Sequence, residues 1–315
     1  MKQIAIFFVY YIYLIISIHS QSRESKHLIR DINWAIKEHS IVTKSIQWQQ
    51  LKQDLKSISY SGVHQIDKEK IYEVYTAHLR QAGDTHSLFY TVELQTELAK
   101  QTLKTEEVSA TYLGSNMAYI RVPSCITYDQ EKDVLYAENL IRNIQQIDSH
   151  RIDKWIIDLR DNRGGNIWPM LAGVSPIIGG GLINHVISAK GVKENYITIG
   201  KLAFSNREII SYATHNKYKK LAILLNGRTA SSGEMLAISL LGFERTKSFG
   251  WPTRGLTTVN KSLTFRDGSQ LFLATGYMAD KNKRVYKEVV TPDVMLDANM
   301  TEDDIIATVI KWLQE

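Results

Sequence analysis

The chain has 315 residues, 44% of them hydrophobic and 23% charged, with only 5 Pro; that is one large or two ordinary domains of roughly 100–200 residues, and neither a disordered tail nor a fibre. The charge balance, 38 − 33 = +5, is small and spread along the chain, so no basic arm or helix face points to nucleic acid. The single Cys125 excludes an internal disulfide and a Cys-based zinc site, and the nine His residues form no HExxH and no tight His/Asp cluster, so neither a metal nor another cofactor is expected.

The chain opens with Lys2 and an apolar run from Ile4 to Ile18, followed by the polar stretch His19 to Ser22, the layout of an export signal. The run is short of the ~20 residues that span a bilayer as a helix, so cleavage near Ser20 is expected. An uncleaved anchor is the alternative and would be the only membrane contact. Residues 1–20 are therefore read as signal peptide, 21–87 as a helical N-terminal region and 88–315 as the main domain. The place implied is outside the cytoplasm: periplasmic, extracellular or at the cell surface.

Within the N-terminal region, Ile71, Val74, Tyr75 and Leu79 form one helical stripe, with Asp67 as cap and Gly83 as stop. Further on, strands and helices alternate. Met117–Val122 reads as a strand and Asp133–Ile147 as a helix with Val134, Ala137, Ile141, Ile144 and Ile147 on one face. Trp155–Leu159 and Leu221–Leu225 are nearly continuous apolar runs, which suits strands buried on both faces of a sheet covered by helices. A closing helix runs from Thr301, its cap, to Leu313. The bulk of the chain is thus α/β.

Three places break this pattern in ways packing does not explain. Asn226-Gly-Arg-Thr-Ala-Ser-Ser-Gly-Glu234 joins a buried strand to an apolar helix. A serine there, Ser231 or Ser232, is either a helix N-cap or a nucleophile beside the open N–H groups of the first turn. Asp158-Leu-Arg-Asp-Asn-Arg-Gly-Gly-Asn166 follows the other buried strand; its paired glycines are either a plain turn or backbone donors for an anion. Gly83-Asp-Thr-His-Ser87 sets His86 in a polar turn, as a solvated side chain or as the proton acceptor that an imidazole usually is for a Ser hydroxyl. Cys125 is read as a small buried hydrophobe, with a nucleophile the alternative.

In this order, with Phe249-Gly-Trp-Pro-Thr-Arg-Gly255 and Thr291-Pro-Asp-Val294 behind them, these motifs resemble the S41 serine peptidases, the family of the C-terminal processing and tricorn-type proteases, over roughly residues 80–296. The resemblance implies a ClpP/crotonase-like catalytic domain, with Ser231 as nucleophile and Ser232 and Gly164, chosen over Gly165, as oxyanion donors. The C-terminal processing branch has a Lys where this chain has Leu256, and Arg254 cannot replace it as a base, because its guanidinium does not give up a proton. The stretch from Tyr90 to Met117 is also short for that branch's PDZ domain. The tricorn-like arrangement, with a His as base, places that role on His86. Glu288 stands near the position of the acid that some members have, either as that acid or as a solvated charge; Asp158 and Asp293 are expected to be structural.

The expected function is an exported serine endopeptidase acting on peptides or proteins, with no cofactor. The alternative is a catalytically silent extracytoplasmic binding protein on the same fold.

Overall fold

The computed structural model describes residues 21–100, 108–127, 129–202 and 207–315; the expected export signal lies outside them. Among the described residues, no helix is long and apolar enough to cross a membrane. In chain order the elements are α1 (Arg23–His39), α2 (Trp48–Ser57), α3 (His64–Gln81), β1 (Leu88–Tyr90), α4 (Val92–Lys100), β2 (Ser109–Gly114), β3 (Met117–Arg121), α5 (Gln130–Ile147), β4 (Lys154–Asp158) and α6 (Ile167–Ile178). There follow β5 (Gly181–Ser188), β6 (Gly191–Ile197), β7 (Lys220–Leu225), α7 (Ser232–Leu241), β8 (Thr246–Gly250), β9 (Thr258–Thr264), β10 (Gln270–Asp280), β11 (Val285–Tyr286), β12 (Val294–Met295) and α8 (Glu302–Gln314). They fall into two compact units: Met1–Lys100 with Val259–Gly276, and Gln101–Thr258 with Tyr277–Glu315.

In the first unit, α1, α2 and α3 bury Leu28, Ile32, Ile36, Leu51, Leu55, Ile71, Tyr75 and Leu79 in one core, completed by Phe265, Leu271 and Leu273 from far along the chain. β1 pairs antiparallel with the start of β10, Leu88 opposite Phe272. The α3 stripe is buried as its spacing predicts, and Gly83, at φ +97, ends the turn after it. Asp67, however, is not the cap. The helix begins at His64, and the Asp67 carboxylate, fully buried, reaches back to accept the Ser61 N–H at 2.7 Å and the Gly62 N–H at 3.2 Å. A carboxylate in the first turn suits the helix dipole, and here it also holds the turn that leads in.

The second unit is built on a six-stranded sheet in the order β12-β8-β7-β4-β3-β2, parallel throughout except for β2. Ile156 of β4 and Ala222 and Leu224 of β7 pack with Ile305, Val309 and Leu313 of α8, while the alternate residues Trp155, Ile157, Leu221 and Ile223 are fully buried as well. Burial on both faces is why these strands read as unbroken apolar runs. Each α8 anchor is worth about 2–5 kcal/mol against Ala. Thr301 caps α8 through a reciprocal box with Asp304, as expected. β5 and β6 form an antiparallel hairpin, with Tyr277–Asp280 paired along β5 and Met278 and Ala279 along β11.

The consequence for function lies at the ends of the parallel strands. β4 and β7 are adjacent and run the same way, so the Gly-Gly turn that follows one and the Thr-Ala-Ser-Ser turn that follows the other emerge at the same edge of the sheet.

Candidate active site

Ser231 is the N-cap of α7 and has φ 52 and ψ −120. A positive φ on a non-glycine residue costs on the order of 1–3 kcal/mol and persists only where its surroundings hold it. Ala230 donates its N–H to the Asn162 carbonyl at 2.9 Å, Met235 donates to the Ser231 carbonyl at 2.9 Å, and the Ser231 N–H donates to Glu234 Oε2 at 2.9 Å. The residue is thus gripped on both sides.

Glu234 is the main grip. It is fully buried, and its two oxygens also accept the Gly255 N–H at 2.7 Å, the Leu256 N–H at 2.7 Å and the Thr253 hydroxyl. Burial pushes its carboxyl above the usual range while these four donors pull it back down. One side chain therefore ties the Ser231 backbone to the 253–256 turn. Sequence reasoning quoted Glu234 only as the end of a motif. Its signal was the Ser-x-x-Glu spacing of a capping box, which conceals the two further backbone donors.

Gly164 lies against Ser231. A Cβ on it would stand 2.9 Å from Ser231 Cβ, 2.9 Å from the Ser232 nitrogen and 3.0 Å from the Ala230 oxygen, and its φ is +103. No other residue fits there without moving backbone. The Gly164 N–H, expected as an oxyanion donor, is given to Asn162 Oδ1 at 2.9 Å, whereas the N–H groups of Ser232 and Gly165 have no acceptor among the described residues. Asn162 also went unassigned in the sequence. Fully buried, it donates its amide to the Val122 and Pro123 carbonyls at 2.9 and 3.1 Å, joining the segment after β3 to both turns. Ser232 Oγ donates to the Gly165 carbonyl at 2.6 Å and closes the two turns on each other.

His86 belongs to the first unit, where it is buried between α3 and β1. Asp84 accepts the N–H groups of His86 and Ser87 at 3.0 and 2.9 Å, and Asn260 donates to the His86 carbonyl at 3.0 Å, so the backbone beneath the imidazole is fixed. Glu288 is exposed in the bend after β11, and its carboxylate makes no hydrogen bond or ion pair among the described residues. Its backbone passes Gly255, next to the turn that Glu234 holds. Asp158 is buried against Tyr119 and Arg160, and Asp293 binds the Ser248 N–H and hydroxyl at 2.8 and 2.9 Å, both structural contacts. Cys125 is fully buried, as a small hydrophobe would be, and burial pushes its thiol above the usual range. Among the described residues, no group of His, Cys, Asp and Glu is arranged to hold a metal ion.

The chain is 25% identical over 240 residues to the nisin-resistance protein of Lactococcus lactis subsp. lactis, covering 75% of this chain and 71% of that one. It is 28% identical over 193 residues to the chloroplastic carboxyl-terminal-processing peptidase 2 of Arabidopsis thaliana, 61% of this chain but only 34% of the plant protein. The solved structure of a lipoprotein from Streptococcus agalactiae superposes with a TM-score of 0.75 at 26% identity, covering 94% of this chain and 97% of that one. The fold is the ClpP/crotonase-like α/β class preceded by helices. The pattern of peptidase family S41 matches residues 116–296, more than half of the chain, and the protein belongs to that family of serine peptidases, homologous to the C-terminal processing proteases.

Proposed function

We propose that this protein is an exported serine endopeptidase of the Ser/His type. Ser231 Oγ attacks the scissile carbonyl carbon, His86 takes the hydroxyl proton and passes it to the leaving amine, and water then hydrolyses the acyl-enzyme with His86 again as base. The Ser232 N–H holds the oxyanion. The Gly164–Gly165 turn supplies the second donor; Gly165's N–H is the one not already committed. Glu288 is the candidate for the acid that orients His86, and Leu256 leaves no Lys base at the alternative position. No PDZ domain is part of this reading.

The observation that carries the proposal is the backbone of Ser231, held at φ 52 at a helix N-terminus with Gly164 packed against its Cβ. A serine that served only as a cap has no use for that strain. Export is supported by Lys2 and the apolar run behind it, and by similarity to a lipoprotein. The nisin-resistance relative makes nisin a peptide to try as substrate.

The test is labelling with a serine-directed phosphonate. The wild type should label and Ser231→Ala should not. A folded wild type that fails to label would favour a silent binding protein on this fold.

A further inference from the structure

Two arginines stand on the loops that abut the nucleophile, and neither has a use in the chemistry described. Arg163 directly precedes Gly164, whose backbone touches Ser231. Its own N–H is anchored to Ser124 Oγ at 2.8 Å. Arg254 lies in the turn that Glu234 holds, and its N–H donates to the Thr229 carbonyl at 2.9 Å, two residues before the nucleophile. Both are exposed, and neither guanidinium makes a hydrogen bond, ion pair or ring contact among the described residues.

The surrounding carboxylates do not neutralise them. Asp161 is taken by Arg228 at 3.2 Å and Arg121 at 4.0 Å. Asp158 is taken by Arg160, and Glu234 is buried and saturated by its four donors. Glu288, whose backbone passes Gly255, pairs with neither. Two permanent cations therefore remain uncompensated on backbone fixed to the reacting serine, and a guanidinium is the side chain best shaped to take a carboxylate through two parallel bonds.

We propose that Arg163 and Arg254 bind a substrate carboxylate close to the scissile bond, so that this peptidase selects peptides carrying a negative charge there. The carboxylate is either the free C-terminal group or a Glu or Asp side chain. The inference rests on Ser231 as nucleophile. It assigns the arginines to binding rather than to bond-breaking, so their effect lies in KM.

The experiment uses one synthetic peptide mixture made in four forms, with the C terminus free or amidated and with Glu at fixed positions or Gln in its place, followed by mass spectrometry. The wild type should cleave a carboxylate-bearing form with kcat/KM at least about tenfold above the amidated Gln form, the usual worth of a charge-assisted bond. Whichever single change abolishes the preference names the source. In Arg163→Ala/Arg254→Ala, with thermal unfolding as the check on folding, the preference should vanish through KM. Should that variant fail to fold, raising salt from 50 to 500 mM (on the order of a threefold shorter screening length) must still shrink the wild-type preference. Equal cleavage of all four forms overturns the proposal, as does a preference that survives in the double variant or is indifferent to salt. A wild type that labels at Ser231 yet cleaves no form also counts against it. One that does not label removes the Ser231 reading itself, and the arginine assignment falls with it.

Discussion

Replacing Glu234 by Gln keeps its size and removes one acceptor oxygen from a carboxylate that serves four buried donors. The Ser231 and Leu256 N–H groups share Oε2, and the Gly255 N–H and Thr253 hydroxyl share Oε1. An amide has one oxygen, so one of these pairs faces an NH2 group that cannot accept. The Thr253 oxygen can turn to accept from that NH2, since it already accepts the Val290 N–H at 2.8 Å, but a backbone N–H cannot turn. One or two buried N–H groups are therefore stranded, at about 1–3 kcal/mol each. Relief from burying a charge offsets part of this. The expected loss is about 2–4 kcal/mol, or roughly 5–10 °C in Tm for a unit of this size. If the amide nitrogen faces Ser231, the φ 52 conformation loses its restraint and the hydroxyl shifts; a displacement near ~1 Å costs about 10²-fold in rate. Phosphonate labelling and thermal unfolding read the two effects separately. A Gln variant with unchanged Tm and labelling within twofold of wild type would refute the reasoning, because four hydrogen bonds to one buried carboxylate would then carry neither stability nor geometry.

His86→Ala is expected to lower kcat by on the order of 10²–10⁴ with folding intact, and wild-type activity to fall toward acid pH as the imidazole takes up a proton; a few-fold effect would remove His86 from the mechanism. Glu288→Gln discriminates a triad from a dyad: a kcat loss approaching that of His86→Ala assigns it the acid role, and near-normal turnover leaves it a surface charge. Gly164→Ala forces a methyl into the backbone around Ser231 and should lower labelling by about 10²-fold or more, whereas a tolerant site would show that the turn can retreat. The double variant His86→Ala/Leu256→Lys should stay inactive, because a Lys base must be held neutral by a dry pocket; restored turnover would place the protein on the Lys-dependent side of its family. The Arg160–Glu302 ion pair, with Arg160 donating at 2.7 Å, holds the Glu302 carboxyl below its usual range, so its contribution is present above the unfolded pKa and lost as pH falls through the folded one; denaturation of Glu302→Gln between pH 3 and 6 should show a flatter acid limb.

The elements that could be read from residue order alone were those whose burial has a simple period. Trp155–Leu159 and Leu221–Leu225 stand out because both faces of the sheet are covered, and α5 because Ala137, Ile141 and Ile144 meet the core every third or fourth residue. Asp67 misled because an acid near a helix start has the same local pattern whether it caps the helix or reaches back to Ser61. The turn at Ser231 was legible as strand, small residues, serine and helix, which is a local arrangement. Which glycine N–H is open was not, since it depends on Asn162 choosing Gly164, a choice made by side-chain rotation. Glu234 escaped for the same reason: its partners at 253, 255 and 256 are remote in sequence, and only folding reveals that one carboxylate answers all of them.

The first unit borrows Val259–Gly276 from late in the chain, and this sets an order on biosynthesis. Leu271 and Leu273 are fully buried among helices whose own residues end before position 82. As the ribosome delivers the chain, α1 to α3 emerge with an apolar groove that cannot close until nearly two hundred further residues have followed. A nascent chain halted between 225 and 258 would carry the Ser231 region or its approach while the helices ahead of it still lack their last strand, and the imidazole of His86 would lack the Asn260 amide that pins its backbone. Completion of the first unit is thereby delayed until after the 226–234 turn has been made, so the loop that carries His86 settles last.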